Sequence, residues 1–143
     1  KFPNISKIVF AQGKIYLTSR TKNRIAIIDY ATLGLIKEMN IEPKPIDMLV
    51  YNNKIYVLSA QNNSVHVINA VEDVITDTIL LNTNGFSTKI YRIQNTNIAI
   101  VTDTKTDKYS VLDLDKKQVL KTNILEIPVS EIEIIPTVKK INK

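Results

Sequence analysis

Residues 45–81, PIDMLVYNNKIYVLSAQNNSVHVINAVEDVITDTILL, decide how the chain is read. Met48, Leu49, Val50 and Tyr51 form an apolar run that stops at Asn52-Asn53. Ile55, Tyr56, Val57 and Leu58 form the next, which stops at Gln61-Asn62-Asn63-Ser64. Val65, His66, Val67 and Ile68 follow, ending at Asn69, and residues 74–81 make the last run before Asn82-Thr83-Asn84-Gly85. Short runs rich in Val, Ile and Tyr and bounded by Asn, Gly and Ser are strand signals. A helix needs apolar residues at i, i+3, i+4 and i+7 over at least about 10–12 residues, and the turn clusters interrupt too often for that. Asn52-Asn53 suits a two-residue hairpin loop, because asparagine tolerates the left-handed backbone that such loops demand. The stretch is therefore expected to form four strands paired in sequence as an antiparallel meander. Ile55-Tyr56-Val57-Leu58 is apolar on both faces, and so is Ile98-Ala99-Ile100-Val101. An antiparallel sheet with one wet face would alternate, so these second strands are expected to be covered on both sides.

The same pattern extends outward. Residues 14–19, KIYLTS, repeat residues 54–59, KIYVLS, and residues 24–29, RIAIID, repeat residues 64–69, SVHVIN. A first strand at Ile8-Val9-Phe10-Ala11 and a fourth near residues 35–41 complete an earlier unit. Glu42-Pro43-Lys44-Pro45 leads into the next unit, and its two prolines predict an extended connection outside the ladder. Downstream, strands are expected at residues 88–94, 97–102, 108–113 and 118–125, with NIAIVT set against KIYVLS. A further first strand is expected over residues 129–135, between Pro128 and Pro136. The chain thus divides into units 5–41, 45–81 and 88–125 plus one strand. Four strands per repeat of about 40–45 residues is the spacing of a β-propeller blade. Blades bury their faces against their neighbours, which accounts for second strands that are apolar on both sides. The fold class expected is all-β, an incomplete propeller or a fragment of one.

The 143 residues suit one domain of ordinary size, and 44% hydrophobic with 23% charged residues is a globular composition. No apolar run approaches the roughly 20 residues of a membrane-spanning helix. The absence of cysteine excludes disulfides and thiolate metal sites. The first residue is Lys1 rather than Met, which predicts a processed or trimmed chain. The net charge of +5 is a modest excess of solvated lysines, so no nucleic-acid partner is expected.

The phrases IYLTSRTKNRIAIID, IYVLSAQNNSVHVIN and IAIVTDTKTDKYSVLD resemble the YVTN-type repeats of surface-layer-like bacterial β-propellers, with NHL repeats a near second. The shared core is an apolar-Tyr-apolar strand ending in Ser or Asp, a polar turn, an apolar strand and a closing Asp or Asn. The third unit has Ala99 where the tyrosine is expected, and glycine is scarce, with three in the chain. No Trp-Asp pair of the WD40 kind exists, since the chain has no tryptophan. The resemblance implies a non-enzymatic binding or scaffold module, in the periplasm or on a cell surface. Closed rings hold about four to eight blades. Three and a fraction predict a piece of a longer chain with further blades, copies that self-associate, or an open stack with apolar end faces.

Candidate sites lie in the turns. In propellers the turns between second and third strands emerge on one face with the inter-blade connections. Here they are Arg20-Thr21-Lys22-Asn23-Arg24, Gln61-Asn62-Asn63-Ser64 and Asp103-Thr104-Lys105-Thr106-Asp107-Lys108, with Lys44 and Lys89 in or next to the connections. Arg20, Lys22, Arg24, Lys44, Lys89, Lys105 and Lys108 are the candidate binding residues, a basic patch for an acidic protein partner or a polyanionic glycan. Against this stands the plainer reading of ordinary solvated turns. His66 is the only histidine, and it lacks the company a metal site needs, so it reads as structural. Asp103 and Asp107 lack the glycine and third acid of a calcium loop. Asp29, Asn69 and Asp113 recur at the end of the third strand, as turn caps do. Asn4-Ile5-Ser6 and Asn62-Asn63-Ser64 fit a glycosylation acceptor, a pattern too short to carry weight. No metal, cofactor or catalytic residue is expected. The alternative is a piece of a propeller enzyme, a lyase or quinone-dependent dehydrogenase, with its catalytic residues in other blades.

Overall fold

A computed structural model describes residues 2–41 and 43–125; the first strand expected at 129–135 lies outside them. The described residues form strands and no helix: β1 (Ile5–Ala11), β2 (Lys14–Ser19), β3 (Arg24–Asp29), β4 (Leu35–Asn40), β5 (Pro45–Tyr51), β6 (Lys54–Ser59), β7 (Ser64–Asn69), β8 (Val74–Leu80), β9 (Ser87–Arg92), β10 (Ile98–Asp103), β11 (Lys108–Asp113) and β12 (Gln118–Ile124). They make three four-stranded antiparallel sheets, β1 to β4, β5 to β8 and β9 to β12, each a meander in chain order. We refer to them as blades 1, 2 and 3.

The turns follow from backbone chemistry. Asn52 and Asn53 both take positive φ, 47° and 57°, and Gln12 and Gly13 do the same at 52° and 68°. Paired left-handed residues match the twist of the flanking strands in a two-residue hairpin. The residue before each third strand is left-handed too: Asn23, Asn63 and Asp107. These are the side chains that tolerate that region best after glycine. Each third strand closes as the recurrence predicts. Asp29 Oδ1 accepts from Thr32, Asn69 Oδ1 from the amides of Val71 and Glu72, and Asp113 Oδ1 from those of Asp115 and Lys116. These bonds hold the Asp29 and Asp113 carboxyls below the usual carboxylate range.

Two details differ from the sequence reading. Pro45 belongs to the ladder, facing Ser59 as the first residue of β5. At a strand's first position the missing N–H is tolerated. In blade 3 the first hairpin is longer. Ile93 and Ile98 are joined by a backbone bond of 2.8 Å across residues 94–97, and Ile98 lies opposite Asp113 as Lys54 lies opposite Asn69. Ile100, not Ala99, therefore stands where Tyr16 and Tyr56 stand.

Strand alternation sends side chains to opposite faces of each blade. Ile55, Val57, Ile68 and Met48 of blade 2 pack with Tyr16, Ile25 and Ile27 of blade 1. Tyr56, Leu58, Val65 and Val67 pack with Ala99, Val101, Leu112 and Leu114 of blade 3. Blade 2 is thus buried on both faces, and each such side chain contributes about 1.5–3 kcal/mol by leaving water. Blade 1 keeps one apolar face open. Its rung Phe10–Ile15–Ile28–Leu35 ends in side chains that are each 62% exposed.

One hydrogen bond recurs between blades. Tyr16 donates to the carbonyl of Ala70 at 3.1 Å, and Tyr56 to that of Leu114 at 2.6 Å. Ala70 and Leu114 each follow the last residue of a third strand, so the two bonds are the same contact one blade apart. Burial pushes the Tyr56 hydroxyl up to about 12, with the charge of Asp115 adding to it. Tyr16 is raised further by burial and by its bond to Asp73.

Candidate functional site

The turns between second and third strands and the inter-blade connections share one rim, and backbone chemistry fixes it. Asn23 accepts the amide of Ile41 on its carbonyl and the amide of Lys44 on its side chain, both at 3.0 Å. Asn63 repeats the arrangement one blade on. Its carbonyl accepts Leu81 at 2.8 Å, its side-chain oxygen accepts Ser87, and its side-chain amide donates to Thr83 and Gly85. Asp107 accepts Leu125 at 2.8 Å. Each connection is thereby sewn to the turn of the blade it leaves.

Asp103 plays a related part in blade 3. Its Oδ1 accepts the amides of Phe86, Lys105 and Thr106. A Cβ at Gly85 would fall 1.9 Å from its other oxygen, so only glycine fits against this carboxylate. Asp103 is an internal clasp between the connection and the turn.

Along this rim Arg20, Lys22, Lys44 and Lys105 are exposed. The Lys44 ammonium lies 5.5 Å from the centre of the Phe86 ring, within cation–π range. Phe86 in turn accepts the amide of Thr104 on its carbonyl. Blade 1's turn, Lys44, Phe86 and blade 3's turn thus form a continuous, hydrogen-bonded edge. The remaining candidates are placed differently. Arg24 pairs with Glu38 at 2.8 Å, which neutralises its charge locally. Lys108 opens β11 opposite Asp103 and is half-buried. Lys89 lies within β9 opposite Thr102, on the face of blade 3 that the described residues leave open.

His66 is buried in β7, with Nε2 3.2 Å from Ser64 and Nδ1 3.0 Å from Thr78. It is held within its own sheet. Two shallow grooves are present, the first away from the rim and the second beside the connection between blades 1 and 2. One, of about 460 Å³, is lined by Phe10, Gln12, Lys14 and Tyr30, and the other, of about 370 Å³, by Asn40, Pro43, His66 and Thr78. No described helix is long and apolar enough to cross a membrane.

The rim's asparagines were not singled out by sequence reasoning. The signal was there: Asn23, Asn63 and Asp107 each immediately precede a third strand. Their reach into the next connection spans about 20 residues and is not visible as a local pattern.

No family model matches the chain, and no curated protein matches it by sequence. Solved structures do. Hydrazine synthase of Kuenenia stuttgartiensis is similar with a TM-score of 0.77 at 14% identity, over 88% of this chain and 37% of that one. The WD40 repeats of RRP9 give 0.74 at 8% identity, over 87% and 40%. The computationally designed Ika8 protein gives 0.68 at 14%, over 83% and 36%. At these identities the likeness shows the fold alone: propeller-like blades, of a kind shared with WD40 repeats. The chain spans well under half the length of these structures.

Proposed function

We propose that this chain is a non-enzymatic interaction module, a segment of a YVTN-type propeller whose basic rim receives a polyanionic partner, an acidic protein segment or an anionic glycan. The observation that carries the reading is the rim itself. Arg20, Lys22, Lys44 and Lys105 project from turns and connections tied together through Asn23, Asn63 and Asp103. A charged surface held by backbone bonds loses little freedom on binding, and preorganisation of that kind favours affinity. Lys44 stacked on Phe86 adds an aromatic plane beside the charges. The resemblance of the repeats supports a periplasmic or cell-surface location. His66, engaged with Ser64 and Thr78 inside its sheet, favours binding over catalysis by that residue.

The test is binding of the full-length protein to an anionic-glycan array and to acidic peptides, compared with a variant carrying Arg20→Ser, Lys22→Ser, Lys44→Ser and Lys105→Ser. Binding that falls at least about tenfold and weakens with added salt supports the rim. Unchanged binding removes it. Fractionation of cells producing the full-length protein tests location, and recovery in the cytoplasm would refute that part.

A further inference from the structure

The inner strands of the three blades carry charge at one rung. Lys7 faces Thr18 in β2, Asp47 faces Leu58 in β6, and Lys89 faces Thr102 in β10. These are the same positions of successive blades, because Thr18, Leu58 and Thr102 all stand one residue before the end of their strands. The charges alternate and they pair. Lys7 reaches Asp47 at 3.1 Å, and Asp47 is 6% exposed. The second oxygen of Asp47 accepts the amide of Ile90 in β9 at 3.0 Å. One carboxylate thereby ties the inner strands of blades 1, 2 and 3.

Lys89 repeats the position of Lys7 two blades on, but it is exposed and has no ion pair among the described residues. It stands on the open face of blade 3, in the row Lys89–Thr102–Tyr109–Asn123 beside the row Tyr91–Ile100–Val111–Lys121. The corresponding faces of blades 1 and 2 are covered by the next blade's inner strand. The chain continues beyond Leu125, and Ser130-Glu131-Ile132 repeats Ser6-Lys7-Ile8 in sequence. Glu131 follows Lys89 at the same interval at which Lys89 follows Asp47, and it restores the alternation of sign.

We propose that the open face of blade 3 is the docking surface for this chain's own residues 129–135, with Glu131 taking for Lys89 the place that Asp47 takes for Lys7. Charge complementarity at the rung sets the register of that segment, and Tyr91, Ile100 and Tyr109 supply the apolar contact. Lys89 then belongs to the propeller's interior, apart from the ligand-binding rim.

The test uses the full chain and its lack of cysteine. A Lys89→Cys, Glu131→Cys variant is treated with a short bismaleimide, beside a Lys7→Cys, Asp47→Cys variant that calibrates reach. Cross-linking within one molecule at a yield comparable to the reference pair is expected. In parallel, Lys89→Glu and Glu131→Lys are each expected to lower the folded-to-unfolded ratio about fivefold, and the double reversal to recover most of it. A cross-link absent where the reference forms, or one that joins two molecules, overturns the proposal. So does a double variant no more stable than the sum of the single changes. Rim binding is read in a separate assay, so this result can fail while the rim stands, and the reverse.

Discussion

The two interfaces between blades share one framework and differ in what surrounds it. Both place a buried tyrosine of the second strand against the carbonyl that follows the next blade's third strand. At the first interface Tyr16 also bonds Asp73, whose carboxylate takes Lys14 at 2.7 Å and whose carbonyl takes Lys37. At the second, Tyr56 bonds the Leu114 carbonyl, and Asp115 acts on it through its charge. Besides the buried bond from Ile90 to Asp47, the polar contacts of this interface lie further out, between Tyr51 and Asp115, between Lys117 and Asp77, and in Arg92 stacked 4.7 Å from the Tyr51 ring. Apolar packing there is the more extensive, running from Ile46 to Leu114. The contrast teaches that the two interfaces share the tyrosine bond, an apolar surround and the Asp47 carboxylate. The charges around them are exchangeable.

Truncation should break the comparison most severely. Tyr56→Ala is expected to cost about 3–5 kcal/mol, read as a drop in the urea midpoint, because it empties a fully buried site and leaves the Leu114 carbonyl without its donor. Asp73→Ala comes next, at about 2–3 kcal/mol, since it strands the Lys14 ammonium and removes the charged acceptor of Tyr16. If it costs less than 1 kcal/mol by that same melt, the first interface is as apolar as the second and the contrast fails.

Alkaline titration probes the tyrosines directly. A hydroxyl raised to about 12 by burial favours the folded state fully below the ordinary value near 10 and loses that contribution as pH rises from there through 12. Stability should therefore fall by on the order of 2 kcal/mol over that window, and Tyr56→Phe should flatten the decline. The phenylalanine variants at neutral pH should cost about 1 kcal/mol each, slightly more at Tyr16 because its single hydroxyl hydrogen is shared with a carboxylate. The smallest effect is expected at Asp113. Its lowered carboxyl stabilises the fold above the ordinary carboxylate range, and that contribution is lost as pH falls through the folded value. Asp113→Asn should flatten the acid limb of the unfolding curve and lower the neutral midpoint slightly, toward the value at acid pH.

Strands and turns were legible in the sequence because both obey local rules. KIYLTS and KIYVLS name the second strands, and Asn52-Asn53 names its hairpin. The offset in blade 3 was hidden because residues 94–97 lengthen a loop, and a longer loop shifts which face each following residue takes. The basic turns could be read, but their clasp through Asn23, Asn63 and Asp103 could not, since each partner comes from the following connection or a neighbouring turn. Asp47 and Asp73 were missed for the same reason. Their partners, Lys7 and Lys14, lie a blade away, and nothing adjacent to either acid marks it as paired.

The tyrosine bond also has a direction. Its donor always lies on the earlier blade and its acceptor on the later one. Among the described residues blade 1 leaves the acceptor-side face uncovered, where Tyr30 holds the position of Ala70, while blade 3 has Ile100 in the tyrosine's place and so lacks that donor. A two-fold axis would bring a face against its own copy, acceptor side to acceptor side. Whatever stacks on the blade 1 face in the manner of a blade must therefore present its donor side there, a heterologous contact rather than a two-fold one. A two-fold dimer joined through the blade 1 face would contradict this polarity.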